Sequence, residues 1–139
     1  MAVTRKTSYA LRALYEIGLS SDNKPVSRMT IAEKQHISSS YLEHILIDLQ
    51  KSNLIKSVRG PGGGFLIDRA KDQITVWDVF SAVEKSNNVY DMYGEVDGEE
   101  SMNSNMCRVR YIWDDINSVL EEKMISITLK DIIEKEQCV

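Results

Sequence analysis

Residues 26–67 read VSRMTIAEKQHISSSYLEHILIDLQKSNLIKSVRGPGGGFLI, and the order of patterns within them decides the architecture. From Ser27 to Gln35 runs a short helical pattern with Ile31 and Ala32 as its apolar positions, broken by His36-Ile37-Ser38. A second helix is expected to start at Ser40-Tyr41-Leu42-Glu43, a capping-box sequence. In such a box the serine oxygen takes a free backbone N–H while the glutamate reaches back to the cap. Leu42, Ile45, Leu46 and Leu49 then recur at helical spacing as one stripe that must be buried, with Ser39, Tyr41, His44, Asp48 and Lys51 pointing elsewhere. Two helices joined this closely cross rather than lie antiparallel.

Past Asn53, a helix stop, Leu54 to Val58 and Phe65 to Ile67 are rich enough in branched and aromatic residues to pair as a hairpin. Their connection, Arg59-Gly60-Pro61-Gly62-Gly63-Gly64, carries four glycines and a proline in succession. Glycine gives backbone freedom at positive φ and allows close approach to another surface. A nucleotide phosphate loop is disfavoured, because the glycines lead into a strand and no Gly-Lys-Ser/Thr follows. Taken alone the loop could be a flexible hairpin tip. After two crossed helices it reads as the wing of a winged helix-turn-helix, giving a mainly α fold with one small β-hairpin.

Three pieces of this sequence carry a resemblance. Tyr9-Ala10-Leu11, Ser38 to Glu43 and above all Ser57-Val58-Arg59-Gly60-Pro61-Gly62-Gly63-Gly64-Phe65 resemble the IscR/NsrR/RirA/CymR family of bacterial winged-helix regulators, closest to its IscR branch. The resemblance runs from about Thr4 to Ile133. It implies double-stranded DNA as a partner, with Ser38, Ser40 and Glu43 as base readers and Arg59 entering the adjacent minor groove. The exposed start of the recognition helix adds Ser39, Tyr41 and His44, and its far end adds Lys51. The wing adds Gly60, Pro61, Gly62 and Gly63, and the basic start of the first helix adds Lys6. Serine hydroxyls can meet a base or a phosphate, and a glutamate can accept from a cytosine amino group.

Composition agrees with a DNA-facing half. The net charge of −4 is uneven: residues 1–72 carry eleven Lys/Arg against seven Asp/Glu, and residues 73–139 carry six against fourteen. The halves thus stand at +4 and −8, as a phosphate-facing side and an averted side would; the alternative is that the charges merely solvate two faces. At 139 residues the chain is one compact unit, with a DNA-binding region over 1–72 and a dimerisation and sensor region over 73–139. No apolar run approaches a membrane span and no apolar leader opens the chain, so a cytoplasmic location is expected.

The remaining helices follow from periodicity and caps. Ala10, Ala13, Leu14, Ile17 and Gly18 mark a first core-bearing helix, with Tyr9 expected in the core. Residues 68–73 form a polar connector. Thr75 with Asp78, stapled by Ile74 and Val79, starts a helix that runs to about Lys85 with Val76, Val79, Phe80 and Val83 as core. Residues 86–106 hold Asp91, Glu95, Asp97, Glu99 and Glu100 with no basic residue, and read as an acidic loop without calcium-loop spacing. A long helix from about Arg108 to Met124 follows. Its Val109, Ile112, Trp113, Ile116, Val119, Leu120 and Met124 form an apolar seam that one small domain would struggle to cover, so it is the expected homodimer interface. Thr128 with Asp131 caps a last helix.

The sensor reading stays open. In the resembled family many members hold a [2Fe-2S] cluster through three cysteines ahead of the long helix. Here Cys107 alone remains in that region: Met92 stands at the first cysteine, Arg110 at a histidine of some members, and Ser8 and Arg12 at N-terminal ligands of others. No metal is therefore expected, Cys107 being either silent or a redox thiol. A cluster on Cys107 with Glu95 or Asp97, or control by a partner protein, are the alternatives. Cys138 sits in the tail and reads as incidental. An enzyme is disfavoured because His36 and His44, the chain's two histidines, lie far in sequence from Cys107. A winged module that binds protein instead of DNA would differ in lacking steep salt dependence.

Overall fold

The computed structural model describes residues 3–20, 23–85 and 104–135, with the backbone alone for residues 104–107. The chain order is α1 (Arg5–Leu19), α2 (Arg28–Gln35), α3 (Ser39–Lys51), β1 (Ile55–Val58), β2 (Gly64–Ile67), a 3-10 turn (Lys71–Gln73), α4 (Val76–Glu84), α5 (Ser104–Ile125) and α6 (Leu129–Glu134).

The helices α1, α2, α3, α4 and α6 each begin where a hydroxyl takes an orphan backbone N–H. Thr4 accepts from Lys6, and Ser27 accepts from Thr30. Thr75 and Thr128 complete full capping boxes with Asp78 and Asp131. These two threonines also pair with each other as an antiparallel bridge, with Val76 donating to the Ile127 carbonyl and Leu129 to that of Ile74. Two capped ends that lie far apart in sequence are thereby fastened together. Left-handed backbone at His36, Asn53 and Lys85 ends α2, the turn after α3, and α4.

The hairpin pairs antiparallel in the register Ile55↔Ile67, Lys56↔Leu66, Ser57↔Phe65 and Val58↔Gly64. Val26, just before α2, adds a bridge to Phe65 through reciprocal bonds of 3.0 and 2.9 Å. The wing is therefore anchored to the entry of the helix-turn-helix.

One core joins α1, α2, α3, the hairpin, α4 and α6. Ala10, Leu14, Ile31, Leu42, Ile45, Leu46, Leu49, Ile74, Val79 and Leu129 belong to it, and Phe80 is fully buried as well. The boundary at residue 72 thus follows charge and not packing, since Ile74, Val79, Val83 and Leu129 lie in the same core as the N-terminal helices. Gly18 is buried where α6 crosses α1, and a β-carbon there would overlap the Ile133 side chain.

α5 differs. Its packing within the chain is chiefly against α4, and Val109, Ile112, Ile116, Val119 and Leu120 of its seam are exposed, with Trp113 and Met124 half-buried. It begins at Ser104, four residues ahead of the expected Arg108, so the last residues assigned to the acidic loop, 104–106, are helical. Cys107 accordingly has helical backbone. Met92, Glu95, Asp97 and the rest of the acidic stretch up to residue 103, and Cys138, lie outside the described residues. Among the described residues no helix is long and apolar enough to cross a membrane.

Candidate nucleic-acid interface

α3, the expected recognition helix, is capped by Ser38, not by Ser40. Ser38 is extended and its Oγ accepts from the Tyr41 N–H at 3.2 Å, with Ser40 Oγ 3.4 Å away. The physical reason lies upstream. Left-handed His36 and buried Ile37 close the turn early, so Ser38 is the last residue outside the helix. Glu43 is then two residues past the position from which a side chain reaches back to the cap. Its carboxylate meets Arg28 on α2 at 3.2 Å, and both side chains are about half-exposed.

Behind Tyr41 stands a linked set of side chains. The Tyr9 ring meets Tyr41 edge-on with centroids 5.7 Å apart, and the Arg12 guanidinium lies 5.1 Å from the Tyr9 centroid. Arg12 also donates through Nε to Gln35 Oε1 at 2.9 Å and through Nη2 to the Gln35 carbonyl. Gln35 in turn donates to Glu16 Oε1 at 2.6 Å. Tyr9 is thus half-buried core and also a prop for an exposed aromatic on the recognition helix.

The far side of α3 holds a charge that the helical pattern did not locate. Asp48, expected to point away from the buried stripe, is itself buried and accepts from Lys6 Nζ at 2.7 Å, with Lys85 Nζ at 3.7 Å. Burial would raise its carboxyl pKa, but the Lys6 hydrogen bond and charge, with Lys85 and Lys51 beyond, outweigh that and hold it below the ordinary value. Lys6, expected against a phosphate, is half-buried with its ammonium held by this carboxylate. Next to it, Glu84 Oε1 accepts from the N–H and hydroxyl of Thr4 at 3.0 and 2.7 Å, and from those of Thr7 at 3.2 and 2.6 Å. Burial acts upward on Glu84 too, and the Thr7 and Thr4 bonds again bring its pKa below the ordinary value. The end of α4 therefore caps the start of α1, and both pin α3.

In the wing, Gly60 and Gly62 adopt left-handed φ of 98° and 74° with open space around them. The close approach expected of the glycines is to the chain itself. A β-carbon at Gly63 would overlap the Val58 carbonyl, and one at Gly64 the Val26 carbonyl. Arg59 is exposed at the end of β1. The amide of Gln50 donates to the Ser57 hydroxyl at 3.4 Å and links the C-terminal turn of α3 to the wing.

Ser38, Ser39, Ser40, Tyr41, Glu43, His44 and Lys51 are thus all exposed on α3 or its cap, as are Arg59, Gly60, Pro61 and Gly62 on the wing, while Gly63 is half-buried. Sequence reading missed Arg28, Gln35 and Glu84. None had a local signal, since each acts across a helix crossing on a residue at least 15 positions away.

A family model described as an iron-dependent transcriptional regulator, Rrf2, matches residues 3–135. The IscR HTH-type transcriptional regulator of Sodalis glossinidius is 36% identical over 137 residues, which span 99% of this chain and 81% of the relative. Among solved structures, T. potens IscR is similar with a TM-score of 0.75 and 28% identity, over 98% of this chain and 93% of that one. CymR, the global cysteine regulator of B. subtilis, shares the fold at a TM-score of 0.77 and 24% identity, over 97% and 98%.

The family description implies an iron centre, and the donor set does not fit a sulfide-bridged one. The chain holds two thiols in all, Cys107 and Cys138. Such clusters are held mostly by thiolates. Among the described residues no group of three His, Cys, Asp or Glu gathers.

Proposed function

The chain belongs to the Rrf2 family of HTH-type, DNA-binding transcriptional regulators, which are not enzymes, and from that premise we propose how it engages its operator. Two copies associate through the apolar face of α5 and present two α3 helices to the half-sites of a pseudo-palindrome, about one helical turn apart or a multiple of it. Ser40 and Glu43 read base edges in the major groove, Ser38 shares its hydroxyl between cap and DNA, and Arg59 enters the minor groove. Ser39, Tyr41, His44, Lys51 and the backbone of residues 60–63 meet phosphates or flanking bases. Lys6 acts through Asp48 in setting the pose of α3. The outcome is repression in the cytoplasm.

The observation that carries this reading is the division of α3. Leu42, Ile45, Leu46 and Leu49 are buried, while every polar side chain of its first turns is exposed, as is Arg59 on the wing. A surface helix that exposes hydroxyls, an imidazole and one carboxylate, backed by a basic wing, suits groove reading better than an apolar protein contact.

For the signal, we propose that it reaches the chain without a resident cluster, through the Cys107 thiol or a partner protein. Protein purified without oxygen should then be colourless and free of iron and acid-labile sulfide. Near-stoichiometric iron and sulfide, lost in Cys107→Ala, would overturn this.

The test of DNA reading starts from operators selected by the wild-type protein from randomised duplexes. Arg59→Ala should lose more affinity on the selected operator than on random duplex, and wild-type affinity should fall steeply with salt. Equal loss on both duplexes would reject the groove assignment for Arg59. Salt-independent binding would reject the DNA reading as a whole.

A further inference from the structure

The ion pair between Arg28 and Glu43 joins α2 to the proposed base-reading face of α3, and Arg28 is not among the residues assigned to DNA. Resting on the assignment of Glu43 as a base reader, we infer that Arg28 is a specificity-setting residue that determines how strictly Glu43 reads.

Glu43 is free to act because Ser38 and not Glu43 completes the helix cap. Its carboxylate has Arg28 Nη1 3.2 Å away, and the two side chains are 55% and 41% exposed. An exposed pair of this kind is weak and exchanges readily with other partners. On DNA the carboxylate faces one of two situations. Over a cytosine it accepts from the amino group, and Arg28 is released toward the phosphates, which it can contact through several N–H groups. Over guanine or thymine acceptors it finds no donor and is repelled, and it can then return to Arg28.

Arg28 thus gives Glu43 a retreat on unmatched sequence and also competes with cytosine for the same oxygens. Both effects soften discrimination. Removing the guanidinium lowers affinity for all duplexes, but lowers it most where Glu43 has no donor. The selectivity at that base pair therefore rises as the affinity falls.

The experiment uses the full-length protein and randomised double-stranded DNA, with positional base preferences and dissociation constants compared for wild type, Arg28→Met, Arg28→Lys, Glu43→Gln and the double variant Arg28→Met/Glu43→Gln. Arg28→Met is expected to bind more weakly and to raise the preference for cytosine at one position per half-site by about two- to fivefold, the range an exposed pair spans. Arg28→Lys should restore wild-type selectivity, because it keeps the charge. In the double variant the selectivity gain should disappear, since Arg28 acts through Glu43. An equal loss on every sequence, or a weaker preference in Arg28→Met, overturns the inference and leaves Arg28 as a phosphate contact. If Glu43→Gln alone leaves the selected motif unchanged, the base-reader assignment itself fails, and the inference with it.

Discussion

The buried stripe of α3 and the outer face of α5 are made from the same materials, branched and aliphatic side chains at helical spacing, yet their surroundings are opposite. Leu42, Ile45 and Leu49 are entirely buried within one chain, whereas Ile112 and Val119 are 54% and 60% exposed. α3 lies between α1, α2, β1 and α4, so its stripe is covered on every side, while α5 leans mainly on α4 alone. Burying a large aliphatic side chain is worth about 1.5–3 kcal/mol. The α3 stripe collects that within the fold, whereas among the described residues the α5 face does not. In the proposed dimer the pose of the recognition helix rests on intrachain packing, and the spacing between two such helices on association.

Phe80→Ala should remove about 3–5 kcal/mol of stability, read by chemical denaturation, because the ring is fully buried and its loss leaves a cavity. A loss under 1 kcal/mol would mean that the core tolerates collapse around α4. Ile116→Glu on the other face should leave far-UV dichroism intact and weaken the dimer by about 3 kcal/mol, roughly a hundredfold in dissociation constant. Sedimentation that still finds dimers at the wild-type concentration would remove α5 as the interface.

Glu84 and Asp48 titrate below their ordinary values of 4.5 and 3.8 in the folded chain. A depressed folded-state pKa adds stability that is complete above the ordinary value and disappears as pH falls through the folded one. Stability should therefore start to decline near pH 4.5 and fall further below 3.8. Glu84→Gln should cost about 1.5–3 kcal/mol at neutral pH, through the loss of charged hydrogen bonds, and flatten part of that acid limb. An unchanged acid limb would show that the α4 to α1 cap contributes little. The smallest effect is expected for Val119→Ala in the monomeric Ile116→Glu background, within about 0.5 kcal/mol of that background by thermal melting. A larger loss would show that α5 is packed within its own chain after all.

Much of this architecture could be read residue by residue. The stripes of α1 and α3, the Thr75 and Thr128 capping boxes, the hairpin and its glycine turn are local patterns, and a pattern set by neighbours three or four positions apart survives in any context that buries it. The errors share one cause. Ser40-x-x-Glu43 satisfies the capping-box rule, but the preceding turn, closed by left-handed His36, moved the cap to Ser38. Asp48 satisfies the rule for an exposed helix face, yet Lys6 from α1 and Lys85 from α4 converge on it.

By itself the sequence determined which segments are helical, which positions are apolar, that a glycine wing follows a helix-turn-helix, and that the chain holds two thiols in all. Those are consequences of periodicity, backbone sterics and side-chain chemistry, all carried within a few residues. Only the tertiary structure decided which charges meet: Arg28 with Glu43, Lys6 and Lys85 with Asp48, and Glu84 with the hydroxyls of Thr4 and Thr7. Such pairs depend on how helices cross, and crossing is set by the packing of the whole core, which no stretch of the sequence specifies alone.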